Sequence, residues 1–418
     1  MKTLTPAAAV AELARHARGG RVVVSAGAAE PLVLHDAWRE APETAADILF
    51  AGLFVPGMNR FDYASLHPRA GMDLVMLSPD WRHGFAAGRT RLRPMHYSAA
   101  FVTLIDEGAP AGVFTVSAPD AHGLCSFGLA ADLPPDMLSR TGYKIAVINH
   151  AMARTHAAPC IELCAFDAVV ETDMPLPELA AAPSNPIANA IAARVADLVR
   201  DGDTIQTGIG KLPLAAAAAL SGKRDLRVHS GLVVPAHLDL VDAGAMHDAP
   251  GAIRAGVAAG DKAFYQRIAE ERRVSLVSVA ETHGAGALAA IDNFVAINAA
   301  LEVDLFGQVN AAFAGSQQIS GSGGLVDFVR GARASRGGRA IVMIQAEGKG
   351  GVSRVVPRLA QGAVTVAQAE APIIVTEFGA VDLAPLGIDA RADALVALAP
   401  PLQRGALFEA WREVRAAL

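Results

Sequence analysis

Glycines with neighbouring cations mark the places in this sequence where a charged ligand is easiest to bind. The segment Gly208-Ile-Gly-Lys-Leu-Pro213 stands between a strand-like run and a helical run. Proline suits the first turn of a helix, and the unpaired amides of that turn favour an anion or a developing oxyanion. We therefore predict Gly208 and Gly210 as ligand-binding residues, although an ordinary strand-to-helix turn has the same pattern.

Two further glycine clusters, Gly321-Ser-Gly-Gly324 and Lys349-Gly-Gly351, offer backbone amides and cations without bulky side chains. A phosphate or an extended arm of a ligand can approach such a backbone closely. The predicted contacts are Gly323, Gly324, Lys349 and Gly350. A pair of flexible turns is the structural alternative.

These motifs are interleaved with strands and helices that have to position them. Continuous β-branched runs bounded by glycine are typical of strands buried on both faces of a sheet. Helical stretches of the type Leu214-Ala-Ala-Ala-Ala-Ala-Leu220 lie between them. The predicted strands are Arg21–Ser25, Lys144–Ile148, Thr204–Thr207, Ala340–Ile344 and Ile373–Thr376. This alternation predicts an α/β fold.

The two halves of the chain also repeat one another. The segments Gly20–Pro31 and Gly202–Pro213 are equally long, and each runs from a glycine through a strand to a proline at a helix start. Asp120-Ala-His-Gly123 and Asp304-Leu-Phe-Gly307 each place an aspartate three residues before a glycine, as a hairpin turn does. We therefore predict a duplication, with two similar open-sheet α/β domains.

The predicted domains are residues 1–182 and 183–418, and a cleft between two such sheets is a common place for a small-molecule site. Hydrophobic residues make up 52% of the 418 residues, with 36 basic against 42 acidic side chains. This composition describes a compact globular protein and argues against nucleic acid as a partner. No apolar run reaches the roughly 18 residues of a membrane span.

The three cysteines, Cys125, Cys160 and Cys164, follow neither a disulfide framework nor a zinc spacing. The N-terminus lacks the apolar core and the flanks of a secretory signal. We therefore expect a reduced, cytoplasmic protein that uses no metal and has no membrane partner.

Two longer motifs accompany the glycine clusters. They are Ala296-Ile-Asn-Ala-Ala-Leu-Glu-Val-Asp-Leu-Phe-Gly-Gln-Val-Asn310 and Val375-Thr-Glu-Phe-Gly-Ala-Val-Asp-Leu383. With Gly208–Pro213, this set resembles the acetyl-CoA hydrolase/transferase family, which includes 4-hydroxybutyrate, succinyl-CoA:acetate and itaconate CoA-transferases. The resemblance runs through nearly the whole chain. It implies an acyl-CoA and a small carboxylic acid as substrates, coenzyme A as co-substrate, and a homodimer.

The resemblance also implies roles for single residues. Segment Gly208–Pro213 lines the active site, both glycine clusters border the CoA site, Gly379 contacts the thioester region, and Asn310 helps to hold the oxyanion. Amide donors directed at a developing negative charge contribute about 3–4 kcal/mol each.

One residue that the family's chemistry requires is missing. In the family a glutamate attacks the acyl-CoA thioester, forms a mixed anhydride, and then carries CoA as a glutamyl thioester. The matching segment here is Val228-His-Ser-Gly231, and Leu238-Asp-Leu-Val-Asp-Ala-Gly244 follows where the family has a helix. Position 231 is glycine, which has no nucleophile, so we predict Gly231 only as a residue that borders the substrate.

Three explanations stay open. A relocated carboxylate can replace the glutamate, and Glu281 is the leading candidate, ahead of Glu347 and Glu377. Water admitted beside Gly231 can instead hydrolyse the acyl-CoA, with Glu281 or His283 as general base. The third explanation is a CoA-binding protein that lacks this chemistry.

The prediction that follows is an acyl-CoA:carboxylate CoA-transferase for a short-chain acid, including dicarboxylic and hydroxy acids. Its predicted catalytic residues are Glu281, Asn310 and Gly379. Acyl-CoA hydrolysis and CoA binding without catalysis are the alternatives.

Overall fold

The computed structural model describes residues 2–17, 19–180, 185–359 and 364–418. The chain divides into two compact units. Unit 1 comprises Met1–Ala181, Gly231–Pro235 and Ala249–Thr282, and unit 2 comprises Ala182–Ser230, Ala236–Asp248 and His283–Leu418. The predicted boundary between residues 182 and 183 lies outside the described residues. The two later segments that join unit 1 have no counterpart in the predicted division.

Strands and helices alternate along both halves of the chain. In chain order the strands are β1 (Lys2–Thr3), β2 (Arg21–Val24), β3 (Leu49–Ala51), β4 (Gly71–Leu74), β5 (Thr90–Leu92), β6 (Ala109–Val116), β7 (Leu124–Ser126), β8 (Thr141–Asn149), β9 (Cys160–Glu162), β10 (Ala168–Thr172), β11 (Thr204–Thr207), β12 (Arg227–Val233), β13 (Ile253–Ala258), β14 (Val274–Leu276), β15 (Phe294–Ala299), β16 (Glu302–Asp304), β17 (Val309–Asn310), β18 (Phe313–Ala314), β19 (Gln317–Gln318), β20 (Arg339–Met343), β21 (Val355–Val356), β22 (Ile373–Thr376) and β23 (Gly379–Asp382). The helices are α1 (Pro6–Ala17), α2 (His35–Glu40), α3 (Arg82–Ala86), α4 (Tyr97–Glu107), α5 (Pro134–Met137), α6 (Pro186–Leu198), α7 (Lys211–Ala218), α8 (Pro235–Asp242), α9 (Lys262–Glu270), α10 (Val279–Thr282), α11 (Ala285–Ala289), α12 (Leu325–Ala334), α13 (Ile388–Ala397) and α14 (Arg404–Ala416). The predicted strands β11 and β22 have the same bounds in the structure, and β2, β8 and β20 differ only at their ends.

Unit 1 contains a parallel sheet in the order β1-β10-β8-β6-β2-β3-β4-β5. Its apolar core holds the rings of Trp38, Phe50 and Tyr63. The Tyr63 ring lies 4.8 Å from that of Phe50 and 5.5 Å from that of Trp38, measured between centroids. Aromatic pairs at these distances add to the stabilisation that comes from burial alone.

Unit 2 repeats this arrangement. Its strands follow the order β12-β11-β15-β20-β22-β23, all parallel as far as β22, which forms an antiparallel hairpin with β23. The order β22-β20-β15-β11-β12 matches β10-β8-β6-β2-β3 in unit 1, strand for strand. The predicted fold class, two similar open-sheet α/β domains, is therefore confirmed.

Both predicted aspartate–glycine turns form. The amide of Gly123 donates to the carbonyl of Asp120 (2.9 Å), and the amide of Gly307 donates to the carbonyl of Asp304 (2.8 Å). Among the described residues, no helix combines the length and the apolar character needed to cross a membrane.

Candidate functional site

The carboxyl ends of the parallel strands in unit 2 lie along one edge of the sheet. The segments that follow β11, β15, β20 and β22 all begin at this edge. In open α/β sheets, ligands bind in the crevice outside the carboxyl ends of the strands. Most of the predicted site residues come from these segments, so this edge is the candidate site.

The turn after β11 is open. Gly208 donates its amide to the carbonyl of Ile297 (3.0 Å), and Ile209 is 39% exposed. Gly210 has φ 107°, a conformation that favours glycine, and no atom in the described part of the chain lies within 4 Å of the place where its side chain would begin. It precedes α7 without a side-chain cap. The start of α7 is exposed at Gly210 and Lys211, so the amides of its first turn are a candidate place for an anion, and the predicted role of this turn stays a prediction.

A pair of buried carboxamides lies beneath this turn. The Nδ2 of Asn298, on β15, donates to the Oε1 of Gln206, on β11 (2.8 Å), and the Nε2 of Gln206 donates to the Oδ1 of Asn298 (3.3 Å). A side chain on Gly208 would begin 3.2 Å from the Asn298 Oδ1. The sequence analysis missed both residues, although each is a polar residue inside an otherwise apolar, β-branched strand.

Asn310 has a different environment from the one its predicted role requires. Its Nδ2 donates to the Oε2 of Glu302 (3.0 Å) and to the carbonyl of Phe313 (2.8 Å), and its Oδ1 accepts the amides of Ala312 and Phe313. A carboxamide has two N–H donors, and both are used within the protein. In this structure Asn310 shapes the turn after β17 and has no donor left for an oxyanion.

In the second cluster, Gly324 leaves space for a buried histidine. A side chain on Gly324 would begin 2.5 Å from the Nε2 of His283, so only glycine fits without displacing the imidazole. His283 is buried against the ring of Phe328, and burial together with the nearby His229 lowers its pKa to about 3. His283 is therefore neutral at physiological pH, and its low pKa makes it a weak general base.

The third cluster, Lys349–Gly351, lies at the exposed tip of a loop whose two ends are fixed by hydrogen bonds. Gly350, with φ 78°, lies in the 3₁₀ turn Lys349–Gly351, and both Lys349 and Gly350 are exposed. At the base, the amide of Arg354 donates to the carbonyl of Ala346 (2.8 Å), and the amide of Ala346 donates to the Oε2 of Glu377 (2.9 Å). The loop can present its amides and the Lys349 ammonium to a phosphate.

Gly379 lies at the start of β23, directly after the two-residue turn formed by Glu377 and Phe378. A side chain there would begin 3.0 Å from a methyl group of Leu398, which leaves little room for one. The Glu377 carbonyl accepts two hydrogen bonds from the guanidinium of Arg194 on α6. The hairpin is therefore held close to the helix that packs on it.

Gly231 and Glu281 belong to unit 1. The carbonyl oxygen of Gly231, near the end of β12, lies 3.3 Å from the place where a side chain on Gly256 would begin. Glu281, on α10, has an exposed carboxylate (52% of the side chain) that forms an ion pair with Arg254, at 3.2 Å between Oε2 and Nη1. Its carboxylate is accessible to a ligand from solvent.

Unit 1 has its own turn after β2, equivalent by strand order to the turn after β11. Here the carboxamide of Asn59 accepts the amides of Gly27 (2.9 Å) and Val55 (2.8 Å). It also donates to the Gly27 carbonyl (3.0 Å) and to the Glu30 carboxylate (3.0 Å). Glu30 also accepts the hydroxyl of Tyr63 (3.3 Å), and burial raises its pKa to about 7.

The described residues contain no group of three or more metal-ligating side chains that could hold a metal ion. The cysteines are free thiols.

Comparison with known proteins places this geometry in a family. Residues 260–411 match the acetyl-CoA hydrolase/transferase C-terminal domain. The chain is 31% identical to the 4-hydroxybutyrate coenzyme A transferase of Clostridium kluyveri, and the match covers 99% of this chain and 97% of that protein. It is 34% identical to the succinyl-CoA:cyclohexane-1-carboxylate CoA transferase of Geobacter metallireducens, over 72% of this chain and 70% of that protein.

The fold is shared with a solved structure as well. The crystal structure of RipA from Yersinia pestis superposes with a TM-score of 0.90 at 29% identity, covering 99% of this chain and 98% of RipA. The sequence match with a named CoA-transferase extends over nearly the full length of both proteins. The chain therefore belongs to the acetyl-CoA hydrolase/transferase family and is an enzyme of the CoA-transferase class.

Proposed function

We propose that the protein transfers coenzyme A from a short-chain acyl-CoA to a second short-chain carboxylic acid. The observation that carries this proposal is the match over 97% of the Clostridium kluyveri 4-hydroxybutyrate transferase. The open turn after β11 supports it, because exposed amides at a helix start suit a carboxylate or a thioester oxygen. Hydroxy acids and dicarboxylic acids are the acceptor classes to test first, since related enzymes are named for 4-hydroxybutyrate and succinyl-CoA.

CoA is proposed to lie along the carboxyl edge of the unit 2 sheet. Its contacts in this proposal are the backbone at Gly208, Gly210, Gly323, Gly324 and Gly350, together with the Lys349 ammonium. Gly379 borders the thioester, and Gly231 borders the acyl group. Asn310 contributes by shaping its loop, because both of its donors are already used.

Transfer requires an enzyme carboxylate. The carboxylate attacks the thioester carbonyl, the C–S bond breaks, and an acyl–enzyme anhydride and the CoA thiolate form. The thiolate then attacks the enzyme's own carbonyl and releases the first acid, so that CoA is held as an enzyme thioester until the acceptor acid reverses both steps. Glu281 is the proposed nucleophile, because its side chain is 52% exposed and its carboxylate can be reached by a ligand from solvent.

Glu377 is the alternative nucleophile within unit 2. It follows β22 at the carboxyl edge and is partly exposed, and its carboxylate accepts the amide of Ala346 (2.9 Å). Replacement of each glutamate by glutamine separates the two assignments, because glutamine keeps the shape of the side chain and removes the nucleophile.

Hydrolysis is the second candidate function, and one observation favours it. Position 231, where the family resemblance implies the nucleophile, holds a half-buried glycine. Water in that space would attack the thioester carbonyl, with Glu281 accepting a proton, to give the free acid and the CoA thiol. General-base assistance of this kind contributes about 10²–10⁴-fold.

Intact-protein mass spectrometry tests the proposal. The protein is incubated with acetyl-, butyryl- and succinyl-CoA, and borohydride is added to reduce any enzyme-bound thioester to an alcohol. A CoA adduct, and an alcohol mapped to a glutamate, are expected for transfer. Release of free CoA in step with free acid, without an adduct, would establish hydrolysis instead.

Three variants locate the nucleophile. Glu281→Gln is expected to abolish the adduct, while Glu377→Gln retains it. Glu409→Gln is the matched control, since Glu409 forms a comparable exposed ion pair with Arg412 on α14. An adduct that persists in Glu281→Gln and disappears in Glu377→Gln would move the nucleophile to Glu377.

We also propose a cytoplasmic homodimer, as the family resemblance implies. Light scattering behind size exclusion is expected to give twice the 43.1 kDa of one chain. A monomer mass would contradict it.

A further inference from the structure

The Gln206–Asn298 pair lies at the edge where the proposed function places the substrate, and no role has been assigned to it. Gln206 is 1% exposed and Asn298 is 5% exposed. In the register of β11 and β15, Gln206 is opposite Ala296, so Asn298 follows two residues further towards the carboxyl edge on the same face. Asn298 is therefore the member of the pair nearer to the open turn.

The pair uses only half of its donors. Each carboxamide nitrogen carries two hydrogens, and within the described chain each makes one hydrogen bond, to the oxygen of the other residue. A buried N–H that lacks an acceptor costs about 1–3 kcal/mol. Asn59 and Asn310, by contrast, make two donor bonds each. Each carboxamide of the pair therefore has one N–H that makes no hydrogen bond within the described chain and is available to an acceptor on a ligand.

Gly208 leaves the way to this pair open. Its φ lies outside the left-handed region, so its backbone conformation does not require glycine. The requirement is spatial, because a side chain would begin 3.2 Å from the Asn298 Oδ1 and 3.5 Å from Pro213. Glycine at 208 thus keeps a side chain from covering the carboxamide of Asn298.

We propose that Asn298 is a catalytic residue, whose spare N–H donates to the acyl oxygen of the thioester and to the negative charge that develops there. This inference rests on the proposed function. Gln206 is a positioning residue, since its Oε1 fixes the orientation of the Asn298 amide. In this proposal Asn298 donates the hydrogen bond to the oxyanion that the family resemblance assigns to Asn310, because both N–H groups of Asn310 are already used.

The test compares substitutions of Asn298, near the carboxyl end of β15, with a substitution of a residue that contacts the amino end of the same strand. Asn298→Ala removes the carboxamide, and Asn298→Asp keeps its shape and the acceptor for Gln206 but removes the donor. Ser335→Ala is the matched control. Ser335 is also buried, and its hydroxyl accepts the amide of Phe294 (3.1 Å) and donates to the Ile291 carbonyl, at the amino end of β15.

Two readouts are measured for each variant after circular dichroism has confirmed folding. The first is kcat for transfer, which we expect to fall about 10²–10³-fold in both Asn298 variants and less than threefold in Ser335→Ala. The second is calorimetric affinity for acetyl-CoA relative to free CoA. This ratio is expected to fall about tenfold in both Asn298 variants, because only the acyl-CoA has the carbonyl that Asn298 would bind.

Gln206 is tested by the same readouts. Gln206→Glu keeps an oxygen for the Asn298 amide, whereas Gln206→Leu removes it. The glutamate variant is therefore expected to retain more activity than the leucine variant, a difference that a purely structural contribution to the sheet would not produce.

Several outcomes would overturn the inference. Folded Asn298→Asp with transfer within threefold of wild type would remove the donor role, as would an unchanged ratio of the acetyl-CoA and CoA affinities. Wild-type protein that binds acetyl-CoA without transferring CoA would contradict the proposed function alone, and the affinity ratio would still decide about Asn298. Wild-type protein that binds neither acetyl-CoA nor CoA would overturn both.

Discussion

The two turns that follow β2 and β11 occupy equivalent places in the two sheets, yet they are built differently. In unit 1, the Asn59 side chain fills the turn and forms hydrogen bonds with both the amide and the carbonyl of Gly27. In unit 2, by contrast, no atom of the described residues lies within 4 Å of the place where a side chain on Gly210 would begin. Sheets with the same strand order thus carry two different turns. The polar groups of the first are hydrogen-bonded to Asn59, whereas the second is exposed at Gly210.

The difference lies in how many polar groups each turn leaves available to a ligand. A filled turn gains stability because every buried polar atom has a partner, but it has nothing left to offer a substrate. The turn after β11 lacks that stabilisation, but its backbone amides and the carboxamide of Asn298 can form hydrogen bonds with a substrate. Substitutions in the first turn should therefore affect stability, and substitutions in the second should affect activity.

The largest expected effect belongs to Asn59→Ala. This change leaves the Gly27 and Val55 amides and the Glu30 carboxylate without their buried partner, and we expect the free energy of unfolding to fall by about 3–5 kcal/mol. Urea unfolding followed by tryptophan fluorescence reports it, since Trp38 and Trp81 are buried in unit 1. Asn298→Ala is the counterpart in unit 2, and a larger loss of stability there than in Asn59→Ala would reverse the comparison.

A second expectation concerns pH. Burial raises the pKa of Glu30 to about 7 from its ordinary 4.5, while His35 nearby stays neutral because burial lowers its pKa to about 3. The folded protein keeps a proton that the unfolded chain releases, so the free energy of unfolding contributed by Glu30 falls as pH rises from about 4.5 to about 7 and stays low above that. Tyr63 and Asn59 face the same carboxyl group and do not titrate in this range.

Glu30→Gln removes this dependence. The variant is expected to be more stable than wild type at pH 8, by up to about 3 kcal/mol, and to approach wild type at pH 4.5. Unfolding curves of both proteins at several pH values measure the difference. Parallel pH profiles would show that Glu30 is not the group responsible.

The smallest expected effects on stability come from replacing Gly27 in the first turn and Gly208 in the second turn with alanine. Gly27 has φ 61° and its missing side chain would begin 2.7 Å from Val257, so Gly27→Ala is expected to destabilise unit 1 by about 2–3 kcal/mol. Gly208→Ala has no backbone penalty and a milder contact, so its stability should change by less than about 1 kcal/mol. Its transfer activity should nevertheless fall, because the methyl group approaches Asn298.

The double variant Gly27→Ala with Val257→Ala serves as a control for the steric part of this prediction. Removal of the valine methyls should recover part of the loss caused by Gly27→Ala. An equal loss in Gly27→Ala and Gly208→Ala would mean that the two turns do not differ in the way that their contacts indicate.

Much of the fold is visible in the sequence, because parallel strands buried on both faces leave continuous β-branched runs. Strands β11 and β22 were located to the residue on that basis, and the aspartate–glycine turns by their spacing. The sequence does not reveal which segments of the chain make up unit 1. Nothing local in Gly231–Pro235 or Ala249–Thr282 indicates that these segments pack with the first half of the chain, since packing partners are set by the tertiary structure.

The site was less predictable than the fold for a related reason. Sequence identifies Asn310 as a carboxamide in a suggestive motif, but whether its hydrogens are free depends on Glu302 and Phe313, whose positions only the structure gives. Gly324 was predicted for its backbone, and the structure adds that His283 occupies the space beside it. The nucleophile stays a prediction, because the choice between Glu281 and Glu377 depends on where the thioester binds.

The interleaving of the two units has a consequence for how the protein is made. Unit 1 is incomplete when the ribosome has added residue 181, because several of its contacts need residues 256–258. Gly27 packs against Val257, the carbonyl of Leu129 accepts the amide of Ala258 (2.8 Å), and the carbonyl of Gly256 accepts the amide of Ala131 (2.9 Å). The nascent first half must wait for roughly a hundred more residues, several seconds of synthesis, before those contacts can form. A fragment that ends near residue 181 should therefore aggregate or bind chaperones, and one that ends after Thr282 should be the shortest N-terminal piece to contain every segment of unit 1.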